Sequence, residues 1–504
     1  MDSPIRQYYG NRSVLVTGGT GFIGKVLCEK LIRSCPEIDT IYVLLRPKPN
    51  KTAQQRLIDE ILLSKAFTIN NNGSKSDKLV AISGDVSEPG LGLSDEDRDR
   101  LISNVSVVFH SAASVKFHGP INDFIVQNVY GTQGVMQLCD KMTKLEALIY
   151  VSTAYANCSL KEIKERIYPL KQTSSETILK VNTIGNAIGF DTESQAMQEL
   201  MEGRPNSYTF SKAIAENLVT EKFSHLPLVI VRPSIVTPAA KEPAPGWVDN
   251  INGVAGALLL GALGIARTMD INCEAKADLI PVDIICNALI VIGWHTGTTS
   301  ASDRKQVIHV TSGSVNPVTW GRFLNYSRLA AQKAPSIRMV RPLANNPTHW
   351  RRGTLGKLGH ANHVITKFVS HILFAYFVDA LLTLLGYKRV MAKVTSRMHR
   401  AFEVLEHFTN KEWVFDNRNY FDIYDRLSDD DQQLYSSDVR RLDWKDYAWN
   451  LYFGTRRYLL KEDDSNIEKA QKRLNYITVF YNIFLVTLWA LLLFMVYRIY
   501  CIIV

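Results

Sequence analysis

The sequence predicts an α/β fold: a doubly wound parallel sheet, then a smaller, mainly helical part, then one C-terminal transmembrane helix. Three observations carry this reading. Strand-like and helix-like segments alternate through the first half. A glycine-rich turn joins the first strand to the first helix. Residues 474–497 contain no charged side chain.

In chain order, Met1 to Asn11 lack the apolar stretch of a secretory signal. Strands are expected at Ser13 to Thr17, Thr40 to Leu45, Leu79 to Ser83, Val105 to His110, Ala147 to Ser152 and Leu228 to Val231, with a helix over Lys25 to Ser34. Lys161 to Pro205 is polar and weakly patterned, and reads as an insertion near the sheet edge. Gly246 to Gly264, glycine-rich and apolar, reads as a substrate-side segment. Around Ala334 to Gly359 the composition shifts to prolines and cations with little periodicity, which marks a linker. Leu373 to Tyr458 is mostly helical by pattern. The expected domains are therefore an α/β domain over 1–333, a linker over 334–361, a helical domain over 362–458 and a membrane anchor over 474–497.

The anchor follows from physics. About 20 apolar residues cross a bilayer core. Lys469, Lys472 and Arg473 precede the run, and Tyr476, Tyr481, Tyr497 and Tyr500 lie towards its ends, where aromatic rings suit the interface. A second apolar stretch, Val364 to Leu385, is interrupted by Lys367, His371 and Asp379. It reads as a buried or interfacial helix rather than a crossing, with His371 and Asp379 as a packed core pair. The bulk of the protein is expected on the cytosolic side of an endoplasmic reticulum or peroxisome membrane; the sequence leaves both organelles open.

Composition narrows the function. Five hundred and four residues exceed one compact domain, and 46% apolar with 21% charged residues is ordinary globular usage. Basic residues outnumber acidic ones 58 to 49, a net of +9. That excess fits a membrane surface or a phosphorylated ligand, and without a concentrated basic run no nucleic-acid partner is expected. The seven cysteines are odd in number and form no C-x-x-C pair, so neither a disulfide framework nor a metal site is expected.

The turn reads Thr17-Gly18-Gly19-Thr20-Gly21-Phe22-Ile23-Gly24. Its glycines permit a tight turn and close backbone approach to a pyrophosphate, which then sits at a helix N-terminus where free N–H groups and the dipole stabilise negative charge. This is the Rossmann-like dinucleotide loop in its confirming context, after a strand and opening a helix. A binder of the unphosphorylated dinucleotide needs an acid at the end of the second strand. Here that strand ends in Arg46-Pro47-Lys48, two cations and no carboxylate. Arg46, with Lys48 nearby, would pair with a 2′-phosphate, so NADPH is the expected cofactor.

Tyr208 and Lys212 stand four residues apart and share a helix face. A neighbouring ammonium favours phenolate and would make the phenol a proton donor–acceptor near neutrality. Ala147 to Val151 looks like a buried strand and ends in Ser152-Thr153. A hydroxyl there, Thr153 with Ser152 beside it, can hydrogen-bond a substrate oxygen next to the tyrosine.

Together these residues resemble the extended short-chain dehydrogenase/reductase superfamily, and within it the fatty acyl-CoA reductases. The resemblance rests on TGGTGFIG at 17–24, LLRPK at 44–48, SGDV at 83–86, FHSAASVKF at 109–117, NVYGT at 128–132, VSTAYAN at 151–157, YTFSKAIAE at 208–216, VRPSIV at 231–236, PGWVDN at 245–250 and LIPVDIICNALI at 279–290. It implies that Asp85 and Val86 contact the adenine, that Ala112 and Ala113 line the cofactor, and that Asn128 supports the catalytic network. It implies that Lys212 also bonds the nicotinamide ribose, and that Arg232, Pro233 and Ser234 pass beside the nicotinamide. The implied activity is reduction of a long-chain fatty acyl-CoA to a primary alcohol with two NADPH. The lack of a proline after His371 departs from the family pattern and leaves the roles of His371 and Asp379 open. Cys158 lies near the Ser-Thr strand end without an evident base, which argues against an acyl-enzyme route. A membrane-bound sterol-type or sugar-nucleotide dehydrogenase is the alternative enzyme; a dinucleotide-sensing scaffold is the non-enzymatic one.

Overall fold

The structure, a computed structural model, describes residues 3–69, 77–117, 119–343, 348–349, 361 and 363–503. Its contacts divide it into two compact units: Met1–Trp247 with Lys276–Val318 and Glu412–Leu442, and Val248–Ala275 with Thr319–Lys411 and Asp443–Val504. By compactness the units are interleaved in sequence, which a division into consecutive stretches at 333 and 362 does not capture. Most of the expected linker lies outside the described residues.

The first unit is built on seven parallel strands: β1 Ser13–Thr17, β2 Ile41–Leu45, β3 Leu79–Ser83, β4 Val105–His110, β5 Ala147–Val151, β6 Leu228–Pro233 and β7 Val307–Val310. Their spatial order is β7-β6-β5-β4-β1-β2-β3. β1, β2, β4, β5 and β7 are buried at every residue, so they read as continuous Val, Ile and Leu runs rather than alternating ones. Helices between them include α1 Phe22–Ser34, α2 Gly131–Cys139, α3 Ser207–Phe223 and α4 Val282–Thr298. The order reverses between β1 and β4, and the crevice at that switch point is where such sheets bind ligands.

β7, which no sequence signal marked, extends the sheet beside β6. The weakly patterned stretch after β5 contains a helix, Ser174–Ile188, opened by a Thr173–Glu176 capping box and burying Ile178 and Val181. It also contributes Glu162–Ile163, which pairs in parallel with Val414–Phe415.

The second unit is helical. Gly253–Ala262 packs with Trp320–Lys333 and Trp444–Gly454 around Ala262, Ala330, Ala331, Ala334 and Tyr452, and the Tyr452 hydroxyl donates to the Ala334 carbonyl at 2.8 Å. Met391–Asn410 is the other long helix of this bundle. The final helix, Ile467–Ile503, is continuous over 37 residues and contains the whole of 474–497. Residues 363–384 form a 22-residue helix that is long and apolar enough, by length and composition, to cross a membrane.

His371 and Asp379 are both buried, at 2% and 5% exposure. They do not pair with each other as expected. Two helical turns separate them, and each has its own partners: His371 bonds His399, and Asp379 accepts from the backbone that opens Met391–Asn410.

Candidate functional site

β1 delivers the chain at Thr17 into the glycine turn. Gly18 sits at φ 76°, and a Cβ there would meet the Ala112 nitrogen at 2.8 Å. A Cβ on Gly24 would lie 2.2 Å from the Gly18 carbonyl oxygen, so only glycine lets the helix start seat on the turn. Gly21 donates to the Gly18 carbonyl at 2.8 Å and precedes α1, whose first turn has no side-chain cap. Its free N–H groups around Phe22 and Ile23 suit a phosphate, and the Cβ-free cradle fits a dinucleotide.

At the far end of β2, Arg46 is exposed and lies 3.5 Å from the Asp85 carboxylate. Lys48 is committed to Glu60 at 2.8 Å. Arg56, which sequence reasoning passed over, is buried beneath them. Its guanidinium donates to the Arg46 carbonyl at 2.6 Å, to Thr20 Oγ1 at 3.3 Å and to Glu60 at 2.7 Å. It thereby ties the glycine turn to the end of β2. Nothing in the spacing from the glycines announces it. Asp85 also accepts from the Ser87 amide and hydroxyl at 2.9 and 2.8 Å, which fixes the turn at Asp85-Val86.

A buried polar chain runs from the turn towards α3. His110 Nδ1 bonds Thr17 Oγ1 at 2.8 Å, and its Nε2 bonds Thr132 Oγ1 at 3.0 Å. Burial, with the Lys212 charge adding to it, pushes the imidazole down to about 3, so it is neutral. Ala112 N donates to Thr17 Oγ1 at 3.2 Å. Ser114 exchanges two hydrogen bonds with Asn128, and Asn128 Nδ2 also donates to Ser211 Oγ at 3.0 Å. Ala112 and Ala113 are thus pinned at one end by the glycine turn and at the other by Asn128, which stands in a π-helical turn, Ile125–Tyr130. His110 and Thr132 were legible only as strand and helix filler.

Tyr208, Lys212, Ser152 and Thr153 come together at the C-terminal end of β5. The Thr153 hydroxyl lies near enough to the Tyr208 phenol to lower its pKa, and itself accepts from the Tyr155 amide at 3.2 Å. Phe117 packs edge-on to the Tyr208 ring at 5.7 Å. Lys212 Nζ donates to the Val151 carbonyl at 2.8 Å and lies 4.9 Å from the Tyr150 ring centroid. Ser152 Oγ is buried without a hydrogen bond of normal geometry, an unused donor at the strand end.

The expected acidified phenol is not what the site shows. Burial pushes the Tyr208 phenol up to about 12, against the lowering effect of Thr153. The same burial takes Lys212 down to about 8, and Glu216 opposes that drop. The resting pair is a protonated phenol and an amine that titrates near neutrality.

Arg232 turns away from this cluster. It forms a bidentate pair with Glu216 and donates to the Arg166 carbonyl at 3.1 Å. Any contact from Arg232, Pro233 and Ser234 to a ligand must therefore avoid the Arg232 guanidinium. Cys158 is buried at 4% exposure.

A family model described as male sterility protein, NAD-binding, matches residues 16–289, and a second, described as male sterility protein, Sterile, matches 370–462. Fatty acyl-CoA reductase 1 of Xenopus laevis is 37% identical over 476 residues, covering 94% of this chain and 89% of that one. The Homo sapiens protein of that name is 35% identical over the same coverage. Fatty acyl-CoA reductase 2 of Bos taurus is 36% identical over 503 residues, 97% of this chain and 94% of that one. Among solved structures, the terminal R domain of the myxalamid biosynthetic pathway is similar in fold, with a TM-score of 0.59 at 21% identity, covering 90% of this chain and 92% of that one. The reductase domain of a non-ribosomal peptide synthetase from Mycobacterium tuberculosis gives 0.56 at 15% identity, covering 90% and 95%.

Proposed function

Because the chain belongs to the fatty acyl-CoA reductase family, we propose that it reduces a long-chain fatty acyl-CoA to the primary alcohol. CoA is released at an aldehyde-level intermediate, and NADPH is the reductant. The observation that carries the reading is the grouping of Tyr208 and Thr153 with Lys212, which the Val151 carbonyl holds at the end of β5, next to a glycine cradle that fits a nicotinamide dinucleotide. NADPH, when bound, supplies the hydride for each of the two reductions.

Tyr208 and Thr153 give a substrate carbonyl oxygen two donors where negative charge develops. In the first reduction that charge is relieved by expulsion of the CoA thiolate, which leaves the aldehyde. In the second, the alkoxide takes the Tyr208 proton. A phenol held protonated by burial is the form this chemistry needs. Lys212, tethered to Val151, holds a proton near neutral pH from which the phenol is resupplied. Ser152 offers a further hydroxyl to the same region. The NADPH preference is supported by the exposed Arg46 and by the absence of a carboxylate among Arg46-Pro47-Lys48 at the end of β2. Residues 474–497 of the last helix serve as the bilayer span, which suits a substrate and product that partition into lipid.

The test is incubation of the purified full chain with acyl-CoAs of several lengths and either NADPH or NADH, following alcohol and aldehyde separately. Alcohol formed faster with NADPH is expected. Oxidised hydroxysteroid in place of alcohol would overturn the proposal.

A further inference from the structure

The helix 363–384 inverts the ordinary layout of a helix on a water-soluble protein. Its buried line is His371, Ala375 and Asp379, one residue per turn, and two of the three are polar. His371 Nδ1 bonds His399 Nε2 at 3.0 Å, and its Nε2 accepts from the Arg267 amide at 2.8 Å. Asp379 accepts from the amides of Val390, Met391 and Ala392, each at 2.9 Å. The outward side is apolar: Ile365, Phe368, Leu373, Tyr376, Leu381 and Leu384 are all exposed, Leu384 at 83%. A continuous apolar face of this kind on the surface marks a contact with lipid or protein.

Two observations select lipid. The chain that follows carries Lys388, Arg389, Lys393, Arg397 and Arg400, all exposed, and no carboxylate from residue 380 to residue 402. An apolar face flanked by cations matches the boundary of an anionic bilayer. The second observation is continuity with the last helix. Arg267, whose amide holds His371, places its guanidinium 5.5 Å from the Tyr481 ring centroid. Tyr481 stands seven residues past Leu474, about 10 Å along a helix axis. Amphipathic helices seat ~5–10 Å into the headgroup boundary.

We infer that helix 363–384 lies in the headgroup boundary of an anionic phospholipid bilayer, with its His371–Asp379 side on protein and its apolar side on lipid. It does not cross, because crossing would strip His371 and Asp379 of the partners that satisfy them. The inference rests on the reading of 474–497 as the bilayer span and gives the second unit a second point of attachment.

The experiment uses the full chain with Cys273 and Cys501 replaced by serine. Leu373→Cys, at the middle of the helix, carries a fluorophore, and a separate Leu493→Cys protein carries the same label. Each is reconstituted into phosphatidylcholine vesicles, with or without phosphatidylserine, containing lipids spin-labelled at shallow or deep positions. The expected result is loss of most of the Leu373→Cys emission with shallow quenchers, little loss with deep ones, and a larger loss when phosphatidylserine is present. Quenching chiefly by deep lipids would mean a crossing and would overturn the inference. Absence of quenching, whether the face meets a second copy or another protein, would overturn it too. The Leu493→Cys label reports the span by itself. If it stays unquenched while Leu373→Cys is quenched by shallow lipids, the span reading falls and the boundary contact stands.

Discussion

Glu216 and Arg232 are joined by two hydrogen bonds, 2.9 and 2.6 Å long, with side chains 2% and 0% exposed. Glu216 stands one helical turn beyond Lys212, so the fixed pair lies under the proposed proton source. Removing one member strands a buried charge. Glu216→Leu is expected to cost about 3–5 kcal/mol, and a Glu216→Leu/Arg232→Met double variant to regain most of it. Denaturant midpoints of the two proteins in one detergent decide this; equal losses would mean that the pair is not coupled.

Tyr208→Phe deletes the proposed proton donor and keeps the ring that Phe117 packs against. Alcohol formation is expected to fall by about 10²–10⁴ in kcat, with dinucleotide affinity unchanged. Thr153→Val removes one of two donors to the carbonyl oxygen and is expected to lower kcat by roughly 10²–10³. Turnover near the parental rate in either variant, measured beside cofactor binding, would remove these residues from the reaction.

The pH dependence has a definite sign. Lys212 is lowered by burial to about 8. If the ammonium is the working form, kcat/KM declines as pH rises through about 8. Between that value and the ordinary lysine pKa of 10.5, the unfolded chain holds a proton that the folded chain has released. The contribution of this group to stability therefore rises with pH over that window while activity falls. Unfolding free energies and rates collected over the same buffers would separate the two trends.

Arg46→Asp places a carboxylate where the proposed 2′-phosphate would sit. Losing a charge-assisted pair costs about 1.5–3 kcal/mol, roughly 10- to 100-fold in NADPH affinity. NADH binding should hold or improve. Titrating both dinucleotides against both proteins reads the ratio, and an unchanged ratio defeats the assignment.

Six of the seven sheet strands were legible because each is an apolar run bounded by turns, as in Ser13–Thr17 and Leu79–Ser83. Val307–Val310 was not, since four residues with a histidine among them carry little pattern; His309 is neutralised by burial, and its ring bonds the Asp416 main-chain carbonyl and the Arg232 guanidinium. The helix Ser174–Ile188 hid in a polar stretch although Thr173-x-x-Glu176 announced its start. Tyr208, Lys212 and Thr153 were found from spacing and strand-end position. Arg56, His110 and Glu216 were not, because their partners at Thr20, Thr17 and Arg232 are remote in sequence. The phenol was misjudged for a similar reason: helix spacing reveals the lysine but not how far both groups leave water.

Lys212 is held by a main-chain oxygen of β5. No side-chain exchange deletes that acceptor. Redesign for shorter or branched substrates can therefore recast the surrounding wall while the ammonium keeps its address.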